Sequence, residues 1–273
     1  VRKVGRIAIG LLAGTLVITA LGSMTGVSAR LFREQPEARS VDPEVSALLN
    51  EPATSATPTF PTPIPERPCD RPTLIGRVTP ASLTVRSLPS VRASAIATFH
   101  RTNAEGAPQV FDIQGSVRDP AGDVWYRALL PMRPNGTSGY VAAGSVQLVQ
   151  TRYRLEVDRP RLRLTVWEGC VAVMRFPIGL GKESTPTPNG RYYIIALLKP
   201  PLAGSVYGTY AYGLSAFSDV LTNWKGGGII GLHGTNDPSS IGNRKSHGCI
   251  RLYNRDIEKL VPILPLGTPV DLG

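Results

Sequence analysis

The chain holds three histidines and three cysteines, and two of those histidines and one cysteine fall in one run near its C-terminus. The run reads His233-Gly234-Thr235-Asn236-Asp237-Pro238 and continues through Gly242 to Ser246-His247-Gly248-Cys249-Ile250-Arg251-Leu252. It restricts the fold more than any other feature. A thiol becomes a working nucleophile only where folding sets a base beside it, or a positive field lowers its pKa from about 8.5. His233 and His247 are the imidazoles near enough in sequence for that task. The apolar Ile229-Ile230-Gly231-Leu232 leads into His233, which places this base at the end of a buried strand. Two other readings of the same residues are a buried structural cysteine beside satisfied histidines and a zinc site on His233, His247 and Cys249. The second needs a fourth ligand or a water, and the segment lacks C-x-x-C spacing.

In order and spacing the run resembles the signature of the YkuD-type L,D-transpeptidases, H-G-T followed by G and then S-x-G-C-x-R. His233, Gly234, Thr235, Gly242, Ser246, Gly248, Cys249 and Arg251 carry the match. The resemblance implies Cys249 as nucleophile and His233 as the base that takes its proton, with the Gly234 carbonyl orienting the far imidazole nitrogen. It implies that the turn His247-Gly248-Cys249 aims backbone N–H groups at the developing oxyanion, with glycine at 248 letting that backbone come close to substrate. Arg251 would pair with a substrate carboxylate through its planar fork, and Ser246 and Thr235 complete the substrate-binding set. His247 is a supporting residue, since the family does not always place histidine there. A second landmark, T-P-x-G-x-[FY], is matched within Thr185-Pro186-Thr187-Pro188-Asn189-Gly190-Arg191-Tyr192, a rigid turn before a strand.

The activity implied is crosslinking of peptidoglycan stem peptides through a cysteine thioester, with release of D-alanine and with no cofactor or metal. Carbapenem-type inhibitors are expected to acylate the same cysteine. A hydrolytic L,D-carboxypeptidase or endopeptidase would carry the same residues. A non-catalytic cell-wall-binding protein is the reading from another class, and it has no use for a cysteine–histidine pair.

The formal net charge is +10. Residues 1–70 balance at seven basic against seven acidic, whereas 71–150 carry eight against four and 151–273 fifteen against nine. The excess lies in the regions expected to fold. With no Lys/Arg run of five and no nucleic-acid motif, it points to an acidic polymer such as a bacterial wall and not to nucleic acid.

Along the chain, residues 1–29 have a charged start (Arg2, Lys3, Arg6), an apolar run from Ile7 and a small-residue site at Val27-Ser28-Ala29. This is the form of a secretory signal peptide, or of a membrane anchor if it stays uncleaved. Either way the remainder is exported, to the cell wall or the outer face of the cytoplasmic membrane. Residues 30–72, rich in Pro, Thr and Ser, read as an extended spacer. Residues 73–150 alternate short apolar runs with turn signals, and the pieces Leu83-Thr84-Val85-Arg86-Ser87-Leu88-Pro89-Ser90, Asp123-Val124-Trp125-Tyr126 and Gly139-Tyr140-Val141 resemble a bacterial SH3-like domain. Trp125, Tyr126 and Tyr140 either line a groove or pack its core.

Residues 151–273 read as the catalytic domain. Strands are expected at Tyr153–Val157 and Arg161–Trp167, with a hairpin turn at Glu168-Gly169 and a return strand at Cys170–Phe176. A short helix follows the nucleophile with Asn254 as its N-cap, and Gly267–Leu272 forms a closing strand. The fold expected is therefore mainly β, a small SH3-like barrel followed by a YkuD-like β-sandwich with short helices. Cys69 and Cys170 are either a disulfide or two unpaired thiols; their spacing does not decide.

Overall fold

The computed structural model describes residues 39–40, 68–223 and 227–273. Residues 1–29, expected to direct export, and most of the stretch at 30–72 lie outside the described residues. Within that stretch Arg39 and Ser40 form strand β1 (Arg39–Ser40).

Seven strands follow: β2 (Thr73–Val78), β3 (Ser82–Arg86), β4 (Ala95–His100), β5 (Val110–Arg118), β6 (Val124–Leu129), β7 (Ser138–Ala142) and β8 (Val146–Thr151). They build one antiparallel sheet in the order β1-β8-β2-β5-β6-β7-β3-β4. Period-two alternation drives it: Leu83 and Val85 point to one face and are buried with Phe111, Ile113 and Val141. Trp125 is buried in this module and donates its indole N–H to Asp119 Oδ2 at 3.2 Å. Tyr126 packs against the same core. Of the three aromatics offered as groove liners, these two serve the interior, while Tyr140 is half-buried.

The rest of the chain forms β9 (Tyr153–Asp158), β10 (Arg163–Glu168), β11 (Val171–Pro177), β12 (Leu180–Gly181), β13 (Gly190–Leu198), β14 (Ala211–Phe217), β15 (Ile229–His233), β16 (Arg244–Ser246), β17 (Ile250–Arg251) and β18 (Pro269–Leu272), with helix α1 (Asn254–Leu260) before the last strand. Eight of these strands make the second sheet, in the order β11-β10-β9-β18-β13-β14-β15-β17, while β12 and β16 pair separately and in parallel. The first half of β13, Gly190 to Tyr193, pairs with β18, and the second half, from Ile194, pairs with β14. The sheet changes partner at that point, and its two halves enclose one core that includes Leu155, Leu164, Tyr212, Leu232 and Ile250. The hairpin expected at 168–170 forms there, with Gly169 at φ +58°.

The helix cap departs from expectation. Tyr253, in extended backbone, occupies the N-cap position, and Asn254 is already helical with its side chain directed elsewhere.

The two sheets are not beads on a string. Ile75, Ala107, Val110 and Leu129 of the first belong to the core of the second. The Tyr193 hydroxyl donates to the Leu129 carbonyl at 3.1 Å, and Asn103 Nδ2 donates to the Ile195 carbonyl at 2.9 Å. Asn135 makes a reciprocal pair with Phe217, donating to its carbonyl at 2.8 Å and accepting its N–H at 2.9 Å. Cys69 and Cys170 are joined as a disulfide across 101 positions, their Cα atoms 4.8 Å apart.

Candidate active site

Strands β15 and β17 run parallel, with Leu232 opposite Ile250 and His233 opposite Arg251. Residues facing each other across a parallel pair project to the same side, and side chains alternate along each strand. His233 and Arg251 therefore share a face, and Cys249, two residues before Arg251, projects to it as well. Gly231, two residues before His233, is the position on that face without a side chain.

That vacancy is what brings the pair together. A methyl group at Gly231 would lie 3.3 Å from His233 Cδ2, the ring carbon bonded to Nε2, and 3.6 Å from Cys249 Sγ. The imidazole edge and the sulfur therefore flank one small space and can be no farther apart than those two lengths laid end to end. The Gly231 N–H also donates to Cys249 Sγ at 3.3 Å.

His233 is 3% exposed, and its Nδ1 bonds the Gly234 carbonyl. A carbonyl oxygen only accepts, so Nδ1 carries the proton and Nε2 is left bare, the tautomer a base requires. Burial pushes the imidazole down to about 4, against the pull of the Gly234 carbonyl, and the charge of Arg251 adds to the lowering. The thiol moves the other way. Burial raises Cys249 above its ordinary value, outweighing the Gly231 N–H and Arg251, which both lower it. The resting pair is a neutral thiol beside a neutral imidazole, not the activated thiolate that nucleophile chemistry first suggests. Tyr207 covers the imidazole, ring edge to face, with centroids 5.1 Å apart.

The loop before Cys249 is held by a set of bonds that changes the reading of three residues. Ser246 is buried, and its hydroxyl donates to the Cys249 carbonyl at 2.6 Å while accepting the Gly248 N–H at 3.1 Å. Ser246 thus shapes the loop from within instead of contacting substrate, and the Gly248 amide is engaged there, not aimed at an oxyanion. Gly248 sits at φ +115°, a conformation L side chains rarely adopt, which is the reason for glycine at this turn. Thr235 is likewise buried: its hydroxyl accepts the Asp237 N–H at 3.0 Å, and its own N–H is bound by Asn254 Oδ1 at 2.9 Å. It orders the turn after His233. His247 is exposed beside the loop.

Several residues take roles here that the sequence did not assign them. Thr187 Oγ1 donates to the Gly248 carbonyl at 2.8 Å and accepts the Gly181 N–H at 3.0 Å. Thr185 Oγ1 donates to the Ser246 carbonyl at 3.2 Å. The T-P element is therefore the back wall of the nucleophile loop as well as a turn before β13. Asn254 is the strut between α1 and the His233 turn. Arg251 approaches Asp237 Oδ2 at 3.9 Å through Nη1, while its Nε is buried without a hydrogen-bond partner. A buried donor of that kind is costly unless a ligand supplies the acceptor. Among the described residues no group of three or more His, Cys, Asp or Glu could hold a metal ion.

The family model for the YkuD L,D-transpeptidase catalytic domain matches residues 152–272. A Bacillus licheniformis protein with the provisional name L,D-transpeptidase YkuD is 35% identical over 153 residues, covering 54% of this chain and 85% of that protein. This chain belongs to the YkuD family of L,D-transpeptidase catalytic domains. The Bacillus subtilis YkuD, also provisionally named, is 33% identical over 152 residues, with 54% and 85% covered. Among solved structures, an L,D-transpeptidase from Mycobacterium tuberculosis H37Rv is 15% identical with a TM-score of 0.40, covering 61% of this chain and 91% of that one. The YkuD match begins where β8 gives way to β9, so the first sheet lies outside it.

Proposed function

We propose that this YkuD-family chain crosslinks peptidoglycan stem peptides through a thioester on Cys249. The observation that carries the reading is the shared space over Gly231, flanked by the Nε2 edge of His233 and the Cys249 sulfur. Sγ attacks the carbonyl that joins the third stem residue to the terminal D-alanine, and the thiol proton passes to His233 Nε2 as the S–C bond forms. Transfer and attack coincide, because a separated thiolate and imidazolium would both be charged in a buried site. When the C–N bond breaks, His233 returns the proton to the departing D-alanine amine. A side-chain amine of a second stem then attacks the thioester, gives its proton to His233, and the sulfur leaves and is reprotonated. With the Gly248 amide engaged by Ser246, the N–H of Cys249 itself is the loop's donor to the oxyanion. The buried Nε of Arg251 binds the donor stem's carboxylate.

The remaining parts fit this reading. The first sheet is an SH3-like module that docks on wall material, residues 1–29 direct export, and the proline-rich stretch spans the distance from membrane to wall. Carbapenems acylate Cys249 because their strained carbonyl presents the same electrophile.

Incubating the chain with a tetrapeptide stem, with and without an added acceptor amine, tests the assignment by mass spectrometry of products. Crosslinked dimer plus free D-alanine is expected. Tripeptide alone, in the presence of acceptor, would make the enzyme a carboxypeptidase, and no D-alanine in either arm would refute it.

Two positioning effects are expected in the same assay. Gly231→Ala drives a methyl between ring and sulfur and lowers the acylation rate by about 10- to 100-fold, the usual cost of an ångström-scale misplacement, with a melting temperature near that of wild type. Thr187→Val keeps the shape but strands a buried N–H and a buried carbonyl. Stability should fall by about 2 kcal/mol in denaturant unfolding, and acylation by about tenfold.

A further inference from the structure

We propose that the cleft beside the Cys69–Cys170 bond, where the two sheets meet, is a phosphate-binding site. It is a small open cleft of about 60 Å³, and Arg71, Arg152, Arg154 and Arg191 all line it with a single carboxylate, Asp271. These arginines come from the approach to β2, from β9 and its lead-in, and from β13, so only the folded arrangement collects them. None belongs to the cysteine signature, and β9, β13 and β18 lie away from the β15–β17 end of the sheet.

The cleft is built rather than incidental. Arg154 sits over Trp167, its guanidinium carbon 4.4 Å from the ring centroid, and Trp167 is itself held by an indole N–H donated to Glu156 at 2.9 Å. Stacking fixes the plane of the fork. Its Nη1 is buried with no hydrogen-bond partner, a donor whose desolvation is unrecovered until an acceptor enters. Arg191 donates Nε–H to Asp271 Oδ1 at 3.1 Å, which holds that side chain in place. Arg152 lays its Nη2 end against Gly169, where an added methyl would meet it at 2.9 Å.

Four guanidiniums against one carboxylate leave three positive charges in surplus. A carboxylate offers two oxygens and one charge, which a single fork satisfies. Phosphate offers more oxygens and more charge, and engages several forks at once. The phosphate could be free or could belong to the phosphodiester backbone of an anionic wall polymer.

Calorimetric titration of the oxidised full chain separates these sources. One arm uses inorganic phosphate and the other a short poly(glycerol phosphate). Saturable one-site binding is expected in at least one arm, tighter for the polymer if the backbone is the natural ligand and equal or absent there if free phosphate is. Arg154→Gln and Arg152→Gln should each weaken binding about tenfold, while Arg92→Gln, on the exposed tip between β3 and β4, should leave it unchanged. Arg152 is exposed, so its variant tests the site without touching the fold. No saturation in either arm, or an equal loss with Arg92→Gln, overturns the proposal. Turnover of a stem peptide does not enter the readout, so the catalytic assignment stands or falls separately.

Discussion

Cys249→Ala is expected to take no acyl group from a carbapenem, with intact-protein mass unchanged after an incubation that converts all of the wild type. Stem-peptide turnover should fall by at least about 10⁴-fold, the usual consequence of deleting a covalent nucleophile. Folding should survive. The side chain is only partly buried and gives up one weak bond, from the Gly231 N–H at 3.3 Å, so the loss of stability should stay near 1 kcal/mol. A carbapenem adduct on the alanine variant would move the nucleophile elsewhere, and with it the whole catalytic reading.

His233→Gln should cost about 10³-fold in acylation, and the pH response will show what kind of base has been lost. The wild-type imidazole sits at about 4 in the fold, against 6.5 when exposed. Its acid limb for acylation should therefore fall near pH 4. Alkylation of Cys249 by iodoacetamide should keep climbing past pH 8.5, because burial raises the thiol. A preformed ion pair would instead give fast alkylation that is flat from mildly acidic pH upward. Stability follows the same shift. A folded pKa below the unfolded one means that the unfolded chain binds the proton first as pH drops. The contribution is intact above 6.5 and is lost as pH falls towards 4. Across that window the group should remove on the order of 3 kcal/mol from the unfolding free energy. His233→Gln should flatten that part of the curve. An unchanged pH dependence of unfolding would mean that the ring is not buried in its neutral form.

Much of this was legible in the chain itself. Alternation placed β9 and β10, because one-sided burial writes itself as a period of two, while the turn at Glu168-Gly169 placed β11 and the apolar run before His233 placed β15. The rare residues at 233 and 249 announced the reactive pair. The Gly234 carbonyl on His233 Nδ1 was expected and is there, but most of what the rest of the backbone does escaped. Gly231 matters for the side chain it lacks, and the pairing of β15 with β17 that makes it matter is long-range and parallel. Ser246, Thr235 and Gly248 resembled ligand contacts because a hydroxyl or amide beside a nucleophile looks the same whether it meets substrate or its own loop. Asn254 looked like a helix cap because it stands where caps stand, but Thr235 sixty-odd ångströms of chain earlier claims its oxygen. The seam between the sheets had one trace, the unbroken apolar run Tyr192-Tyr193-Ile194-Ile195-Ala196-Leu197. A strand buried on both faces needs a second layer, and the first sheet supplies it.

The Cys69–Cys170 link also fixes how load travels through the molecule. Its first half enters just ahead of β2 and its second half sits at the tip of the β10–β11 hairpin. Tension arriving from the N-terminal side at Cys69 passes through two sulfur atoms straight into the catalytic sheet. The seven strands β2 to β8 of the first sheet fall between the two cysteines and so lie off that line. A chain pulled from its N-terminal side would strain its hairpin long before it could unravel the module beside it.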